Sequence, residues 1–408
     1  MKAPLEGVRV LDLSRETAGP YGSLLLADLG AEVIRIEHPQ SKVRQDRAIL
    51  DKRVEAKYDF TINGIGTHFL SMNRNKKSVA LNMRSEKGRE IFLELVRKSD
   101  VVYDNYRPGV TKRIGIDYES LSKINPRIIT CSITGFGDSG PLSTRPAFDT
   151  IVQAMGGGMS ITTAEDGRPI RPGIPIGDLG GSMHGVIGIL SALYAREKTG
   201  RGQEVQVSML DVQISLLIYM VTDYFASGEV WGPSGLWRRA DATHAWYKCK
   251  DGEYIAIAAV TDTFFENLCR AIGREDLLAD PRFSKGEIRA KNKDQLGSIL
   301  SEVFLTKTVA EWEKILTEAD VPCGPVNTID KALNNPQVIH RKMVVSYPHP
   351  VEGEVKAAGN PIRLSEHEQV YTPPPLLGQH TVEILSGLLG YTQEELARLK
   401  EEGIIGYP

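Results

Sequence analysis

Five short segments rich in aliphatic residues recur through the first third of the sequence, and segments with a helical pattern separate them. Several of the five are nearly continuous in apolar residues, which is typical of strands buried on both faces of a sheet. Strands that alternate with helices in this way predict an α/β fold with a mostly parallel, doubly wound sheet. The five segments are VRVLDL (8–13), AEVIRIE (31–37), KSVALNM (77–83), DVVYDNY (100–106) and PRIITCSIT (126–134).

The pattern changes after this alternation. We predict an apolar helix at about 179–196, then a strand, and then one long helix over 211–228. A hairpin that turns at Asp251-Gly252 and several short helices predict a smaller α+β domain over about 225–330. The remaining chain is more open in pattern, and we expect it to pack back on the first domain.

Charge and apolar patterning restrict the partners and the compartment. The 408 residues include 49 basic and 52 acidic ones, so there is no overall basic field and we expect no nucleic-acid partner. The N-terminus lacks the apolar core of a signal peptide, and the longest apolar stretches, near 185–195 and 213–221, fall short of the roughly 20 residues of a spanning helix. We therefore expect a cytoplasmic protein with no membrane partner. Four scattered cysteines indicate neither a disulfide framework nor a metal site.

A glycine-rich motif, GFGDSG (135–140), follows a predicted strand and matches the spacing of a dinucleotide-binding fingerprint. That fingerprint requires a helix that opens at its glycines, so that the pyrophosphate meets the helix N-terminus. Here Pro141 follows at once and the segment continues as a loop. The motif therefore predicts a glycine-rich turn that lines a pocket.

One carboxylate, Asp178, stands at the start of the apolar helix, within RPGIPIGDLGGSMHGVIGILSAL (171–193). A charge at this place has a structural interpretation, because Asp often caps the first turn of a helix. Residue chemistry alone favours that interpretation over a catalytic one. The N-terminus of the helix would also favour the ionised form of the carboxylate.

Six motifs occur in an order that resembles the class III CoA-transferase family, which includes formyl-CoA and carnitine-CoA transferases. They are GVRVLDLSRETAGPYGSLLLADLGAEVIRIE, NRNKKSVALNM, GDLGGSMHGVIGILSALYAREKTGRGQEVQVSMLD, DGEYIAIA, CGPV and PPPLLGQHT. The resemblance extends over essentially the whole chain. It implies a large Rossmann-like, CoA-binding domain built from 1–224 and 331–408, with a small domain at 225–330 between them. It also implies an interlocked dimer, either a homodimer or a heterodimer with a related chain.

The resemblance makes Asp178 the nucleophile of CoA transfer. Its carboxylate would attack an acyl-CoA thioester to give a mixed anhydride, and the released CoA thiolate would then give an enzyme-bound CoA thioester and the donor acid. An acceptor acid reverses these steps, so coenzyme A and acyl-CoA are substrates and no tightly bound cofactor is implied. We expect Asp178 to be ionised near neutral pH, with backbone N–H groups near Gly180 and Gly181, or those of a mobile glycine loop, stabilising the oxyanion.

The resemblance also implies a set of residues that contact CoA. Arginines among them suit its phosphates, because guanidinium groups bind phosphate bidentately. The sequence departs from the family at His38, where Arg is frequent, and at GPSG (232–235), where formyl-type members have a tetraglycine loop. The implied CoA-binding residues are Thr17, Ala18, His38, Leu81, Asn82, Met83, Arg84, Asn105, Tyr106, Arg107, Arg113, Arg145, Pro146, Ala147 and Phe148.

Two other functions stay open at this point. The α-methylacyl-CoA racemases share the implied fold but carry His in a GHD motif where this chain has Ala147-Phe148-Asp149, and a phenylalanine cannot act as a base. His184 would be a substitute, although a lone His on an apolar helix is more often a core residue. A non-catalytic partner subunit is the other alternative, and the presence of Asp178 argues against it.

Four arginines are predicted to flank the cleft and to bind the distal carboxylate of a dicarboxylic acid. We therefore favour succinyl-CoA as the donor and a larger, aryl-substituted succinate as the acceptor, so that the partners are acyl-CoA and free carboxylic acids. The four arginines are Arg168, Arg171, Arg238 and Arg239.

Overall fold

Two compact units make up the part of the chain that the structure describes. The computed structural model describes residues 3–41, 61–62, 65–164, 166–232, 242–351 and 353–408. The larger unit comprises Met1–Gly158, Arg171–Ser227 and Ile339–Pro408, and the smaller unit comprises Met159–Ile170 and Gly228–Val338. Each unit has its own hydrophobic core.

Strands and helices alternate through the first half of the chain, as the sequence predicts. The strands are β1 (Arg9–Asp12), β2 (Glu32–Glu37), β3 (Thr61–Ile62), β4 (Ile65–Gly66), β5 (Lys76–Leu81), β6 (Val101–Asp104), β7 (Ile129–Thr134), β8 (Glu204–Ser208), β9 (His244–Lys248), β10 (Tyr254–Ala258), β11 (Cys323–Pro325), β12 (Val344–His349), β13 (Gly353–Ala358) and β14 (Ile405–Gly406). The helices are α1 (Pro20–Asp28), α2 (Thr67–Met72), α3 (Glu86–Arg97), α4 (Val110–Arg113), α5 (Tyr118–Ile124), α6 (Asp149–Met155), α7 (Ile176–Thr199), α8 (Met209–Leu216), α9 (Tyr219–Ser227), α10 (Asp262–Ala271), α11 (Asp276–Ala279), α12 (Gly286–Lys291), α13 (Lys293–Phe304), α14 (Val309–Glu318), α15 (Ile329–Leu333), α16 (Pro336–His340), α17 (Thr381–Leu389) and α18 (Gln393–Glu401).

The larger unit is built on a seven-stranded sheet in the order β14-β5-β2-β1-β6-β7-β8. Six strands run parallel, while β14, from the C-terminal segment, pairs antiparallel with β5. The predicted mostly parallel α/β sheet is confirmed. From β1 the chain proceeds to β2 and β5 on one side, and then to β6, β7 and β8 on the other. The carboxyl ends of β1 and β6 therefore border a crevice, which is where ligands bind in sheets of this topology.

Helix α7 packs on this sheet and fixes where its own first turn lies. It runs over 24 residues and is longer than the predicted 179–196. Glycine permits the close packing, because a Cβ at Gly188 would lie only 2.5 Å from Cγ1 of Val205 in β8. The N-terminal turn of α7 is thereby held near the carboxyl ends of the strands.

Helices α8 and α9 replace the single long helix predicted over 211–228, and that prediction was wrong. The two helices meet at a 70° bend, where Ile218 has a left-handed backbone with φ of 44°. Among the described residues, α7 alone and the α8–α9 pair counted together are long and apolar enough to cross a membrane, whereas we expected shorter apolar stretches. Half of the most apolar part of α7 is buried within the protein, as is typical of a core helix.

The smaller unit contains the antiparallel sheet β11-β10-β9. Its β9–β10 hairpin, predicted at Asp251-Gly252, is confirmed, and Gly252 takes the left-handed φ of 83° at the turn. Tyr247 stacks on Phe304 in the core of this unit.

The β12–β13 hairpin of the larger unit was not predicted from the sequence. All four cysteines are free thiols, and three of them are buried.

Candidate active site

A buried charge cluster fixes the loop that follows β1. The carboxylate of Asp12, at the end of β1, accepts hydrogen bonds from the main-chain N of Ser14 at 2.9 Å and from Oγ of Ser23 at 2.6 Å. It also lies 3.3 Å from Nζ of Lys76. Burial alone would raise the pKa of Asp12, but the charges of Lys76 and Arg35 and these hydrogen bonds hold it below its usual range. The loop therefore leaves the sheet from a rigid starting point.

A second loop, after β6, is hydrogen-bonded to the first. The side-chain carboxamide of Asn105 accepts a hydrogen bond from the main-chain N of Arg15 at 2.9 Å and donates one to its carbonyl oxygen at 2.8 Å. Because β1 and β6 are neighbours in the sheet, these bonds hold the two loops side by side at the carboxyl ends of the strands. Both loops therefore border the crevice that is expected from the sheet topology.

A cavity of about 450 Å³ is lined by these two loops and by the first turn of α7. It brings together most of the predicted site residues. Those that line it are Ala18, Asn105, Tyr106, Arg107, Arg145, Pro146, Ala147, Phe148 and Asp178. Sequence reasoning missed other lining residues, several of which are chain neighbours of predicted ones. They are Arg15, Glu16, Pro108, Ile133, Thr134, Ser143 and Met209.

A smaller cavity of about 90 Å³ shares Arg15 and Tyr106 with the larger one. Its walls come from the carboxyl ends of β1, β2, β5 and β6. Four more predicted residues line it, namely His38, Leu81, Met83 and Arg84. Besides Arg15, three lining residues were not predicted, namely Leu13, Ile36 and Glu37. The two cavities lie next to each other along the carboxyl edge of the sheet, because they share Arg15 and Tyr106.

Three of the predicted CoA-binding residues line neither cavity. Oγ1 of Thr17 lies 3.0 Å from Nε2 of His68. The side chain of Asn82 accepts a hydrogen bond from the main-chain N of Arg84 at 3.1 Å. Arg113 is exposed at the end of α4. A contact with CoA at these three positions stays a prediction.

Asp178 lies in the first turn of α7, half-buried, and lines the larger cavity. A different residue caps this helix, because Oδ1 of the buried Asp149 accepts the N–H of Gly177 at 2.9 Å and that of Asp178 at 3.4 Å. A Cβ at Gly177 would lie 2.7 Å from Cγ2 of Val152, so glycine lets the start of α7 approach α6. The interpretation of Asp178 as the cap was wrong, and no hydrogen bond from a described residue engages its carboxylate.

The surroundings of Asp178 favour its protonated form more than we expected. Burial raises the pKa of Asp178 to about 7, the negative charges of Asp149 and Glu16 add to the shift, and Arg171 opposes it. The first N–H groups of α7 are already bonded to Asp149, so they do little to stabilise the Asp178 carboxylate. The expectation that Asp178 is fully ionised near neutral pH is therefore corrected.

The glycines after Asp178 do not supply an oxyanion site. Gly180 and Gly181 are buried inside α7, where each N–H donates to the carbonyl four residues earlier. The expectation that their N–H groups stabilise an oxyanion was wrong. His184 is turned toward the same helix, since its Nδ1 lies 2.8 Å from the carbonyl oxygen of Gly180. That contact favours a structural role for His184.

The GFGDSG motif forms a turn at the edge of the larger cavity. Gly135 lines the cavity, and Gly137 and Gly140 adopt left-handed backbone with φ of 85° and 92°. In this fully described segment no helix opens at the glycines, because the next helix, α6, begins at Asp149. The prediction of a glycine-rich turn that lines a pocket is confirmed.

The arginines predicted to read a distal carboxylate are engaged within the chain wherever they are described. Nη1 of Arg171 lies 2.9 Å from Oδ2 of Asp149, and Nε of Arg168 lies 2.6 Å from Oδ2 of Asp166. Outside the described residues lie Arg238 and Arg239. Three other arginines line the larger cavity and have no ion-pair partner among the described residues; they are Arg15, Arg107 and Arg145. The cavity therefore suits ligands with phosphate or carboxylate groups.

Similarity to known proteins extends over nearly the whole chain. The CoA-transferase family III model matches residues 5–381. The chain is 36% identical to a succinyl-CoA:glutarate CoA-transferase of Mus musculus, over 98% of this chain and 90% of that protein. It is 35% identical to a formyl-CoA:oxalate CoA-transferase of Streptomyces avermitilis, over 99% and 100% respectively. The crystal structure of a CAIB/BAIF family protein from Brucella suis matches 95% of this chain and 100% of that chain, with a TM-score of 0.83 and 33% identity.

Proposed function

This chain belongs to CoA-transferase family III and is a CoA-transferase, and we propose how it transfers coenzyme A. Coenzyme A moves from an acyl-CoA thioester to a carboxylic acid, and Asp178 holds the acyl group and CoA in turn. An oxygen of its carboxylate attacks the thioester carbonyl, the C–S bond breaks, and CoA leaves as a thiolate, so that the acyl group and Asp178 remain joined as a mixed anhydride. The thiolate attacks the aspartyl carbonyl, which releases the donor acid and leaves CoA on Asp178 as a thioester. The acceptor acid reverses both steps.

The position of Asp178 is the observation that carries this proposal. Its carboxylate borders the larger cavity without a hydrogen bond from a described residue, while Asp149 makes the helix cap. It is therefore able to form a covalent bond without uncapping α7. Its pKa of about 7 leaves the ionised, nucleophilic form well populated in neutral and weakly basic solution.

The two cavities divide the coenzyme between them. The thioester has to reach Asp178, so the larger cavity receives the pantetheine end. The smaller cavity, with His38 and Arg84, receives the nucleotide end. Arg84 and Arg107 offer guanidinium groups to the phosphates between the two ends. In this placement Thr17, Asn82 and Arg113 stand at the margins of the bound coenzyme.

Dicarboxylic acids are the proposed substrates, with succinyl-CoA as the donor and an aryl-substituted succinate as the acceptor. The relatives support the class, because their names pair succinyl-CoA with glutarate and formyl-CoA with oxalate. In this chain Arg15 and Arg145, the two arginines of the larger cavity that are not assigned to the phosphates, replace Arg168 and Arg171 as the groups that bind a distal carboxylate. A panel of acyl-CoA donors and free acids with purified protein tests the assignment.

An experiment in D₂O separates CoA transfer from proton transfer at the α-carbon. We expect the protein to exchange CoA between a 2-methylacyl-CoA and added acid without α-deuterium incorporation, because Phe148 stands at the edge of the cavity where a racemase would need a base. Mass spectrometry of the recovered thioesters measures both events. Deuterium at the α-carbon at a catalytic rate, with no dependence on the acid, would replace the transferase mechanism by a racemase one.

A dimer is the proposed assembly, either of two copies or with a related chain. Large apolar side chains are exposed on α8, on α9 and at the bend between them, and no residue of α9 is buried. They include Ile214, Leu216, Ile218, Tyr219 and Phe225. Apolar patches of this kind mark interaction surfaces. The three-part division at 224/225 and 330/331 and the interlocked connection are part of this proposal.

A further inference from the structure

Glu16 is an unusual residue in the wall of the larger cavity. Its backbone is left-handed, with φ of 56°, a conformation that is uncommon for a residue other than glycine. Four other non-glycine residues of the described chain share this feature, and none of them lines this cavity. Backbone strain of this kind concentrates at functional sites.

Contacts on both sides of Glu16 hold it in this conformation. Asn105 makes hydrogen bonds to both main-chain groups of Arg15. On the other side, Ser182 of α7 donates a hydrogen bond to the carbonyl of Ala18. Glu16 is therefore fixed by the loop after β6 and by α7, the two segments that build the site.

The charge of Glu16 works against a simple structural role. Its carboxylate makes no hydrogen bond or ion pair with a described residue, and its negative charge disfavours ionisation of Asp178. Asp149 also faces Asp178, but that carboxylate is bonded to Gly177 and Arg171. Among the described residues, the carboxylate of Glu16 is thus the one acidic group beside Asp178 that is available to a ligand.

We propose that Glu16 selects the acyl group: its carboxylate accepts a hydrogen bond from a hydroxyl on the carbon chain of the acid and repels a carboxylate at that position. The inference rests on the proposed function, because it concerns the acyl group held at Asp178. A hydroxyl suits the site better than an ammonium group, since the arginines that line the same cavity repel a cation. Hydroxylated dicarboxylic acids are therefore preferred over the same acids without the hydroxyl.

A competition assay tests the selection directly. Full-length protein receives succinyl-CoA and equimolar glutarate and 2-hydroxyglutarate, and mass spectrometry gives the ratio of the two CoA products. Wild type should favour the hydroxylated product, and Glu16→Gln, which keeps the size of the side chain, should lower the ratio by about tenfold. The same variant should move the acid limb of kcat/KM to lower pH, because a negative charge beside Asp178 is gone while Asp149, Arg171 and the cavity arginines remain.

Two further variants separate selection from folding. Asp320→Asn removes a carboxylate from another left-handed residue, with φ of 54°, that lies in the smaller unit, and the product ratio should stay at the wild-type value. Glu16→Gly relieves the backbone strain, so it should lose the selection with no fall in Tm. An unchanged ratio in both Glu16 variants, or equal use of the two acids by wild type, overturns the proposal. Failure of the proposed function looks different, because Asp178 would then carry no covalent intermediate with any acid.

Discussion

Asp149 acts on Asp178 both through the backbone and through its charge. Oδ1 caps the first turn of α7, and Oδ2 accepts hydrogen bonds from Gln153 at 2.7 Å and Arg171 at 2.9 Å. A buried carboxylate with four donors around it, counting the long contact to the N–H of Asp178, is held rigidly. Its negative charge also helps to raise the pKa of Asp178, the proposed nucleophile. The site therefore keeps Asp178 in place while leaving it only partly ionised at pH 7.

The pH dependence of the reaction should report this environment. We expect kcat/KM to rise with pH through about 7 and then to level off, as Asp178 loses its proton in the free enzyme. Asp149→Asn keeps an acceptor oxygen for the helix cap but removes the charge, and it frees Arg171, so the acid limb should move to lower pH. Initial rates at low substrate concentration across the pH range measure the shift. A limb that stays at the wild-type pH would contradict the assigned environment.

Asp149→Ala is the matched variant for the structural part of this role. It removes both the charge and the cap acceptor, so its free energy of unfolding should fall by about 0.5–2 kcal/mol. Asp149→Asn should lose less stability, because the hydrogen bond to Gly177 survives. Denaturant unfolding of the two variants separates the cap from the charge. Equal losses in both would mean that the charge, rather than the cap, stabilises the start of α7.

The sequence predicted a site residue where a local motif contains it. It did not predict a residue whose role depends on the packing of distant segments. The motif around Asp178 identified it as a candidate site residue. The motif did not predict its pKa, because that pKa depends on burial and on carboxylates from two other segments. Asp149 is 29 residues earlier in the sequence, and only the packing of α6 against α7 makes it the cap. Glu16 escaped notice because its left-handed backbone is imposed by Asn105 and Ser182, far away in sequence.

Helix α7 positions Asp178, the proposed nucleophile, through its packing on the sheet. The helix presses glycines against the sheet, so any added methyl group there should push it away. Gly188→Ala places a Cβ 2.5 Å from Cγ1 of Val205, and we expect the free energy of unfolding to fall by about 1–3 kcal/mol. Denaturant unfolding measures this loss. A stability equal to wild type would show that α7 and β8 are not packed this closely.

Gly387→Ala is the control for that substitution. Gly387 lies within α17, and an added Cβ there meets nothing within 4 Å. Alanine restricts the unfolded chain more than glycine does and suits a helix better, so this variant should be more stable by about 0.4–1 kcal/mol. The two substitutions should change the free energy of unfolding in opposite directions, which distinguishes a steric conflict from an effect of helix propensity.

Elements with a strong local pattern were predictable, and those shaped by context were not. Strands β1, β2, β5, β6 and β7 are buried along nearly their whole length, so their apolar runs identify them in the sequence. Ser85 caps the N-terminus of α3, where its side chain accepts the N–H of Gly88 at 2.9 Å, as Ser commonly does at the start of a helix. The break between α8 and α9 falls at Leu217-Ile218, where no glycine or proline signals it. The short β14 was missed because its two residues form a strand only beside β5.

At the scale of the whole molecule, the order of six motifs along the chain was the strongest signal, and the family it indicated is confirmed. Fold class follows from the same chain-long pattern. The mode of assembly could not be derived from residue patterns, because an apolar residue exposed on α9 and an apolar residue buried in a core look alike in the sequence. Exposure becomes visible only once the chain is folded.

Equilibrium sedimentation tests the proposed assembly. If two chains are threaded through each other, separation requires unfolding, and the interface exceeds the roughly 1,600 Å² of an ordinary complex. We expect dimers at every concentration over a wide dilution range, or a heterodimer when the related chain is supplied. A compact, folded monomer at low concentration would remove the interlocked arrangement and leave the chemistry of Asp178 untouched.

The claim that Asp178 is the nucleophile is tested most directly by following oxygen. An acceptor acid labelled with oxygen-18 forms the anhydride through its own carboxylate oxygen, and attack by CoA then leaves that oxygen on the aspartate. After turnover, we expect the peptide that contains Asp178 to have gained oxygen-18. Asp178→Asn should show neither label nor turnover. Its free energy of unfolding at pH 8 should be at least equal to that of wild type. The pKa of Asp178 is raised in the folded protein, so the contribution of Asp178 to stability is lost as pH rises through about 7. Labelled acid converted to its CoA thioester with no oxygen-18 on Asp178 would contradict the mechanism.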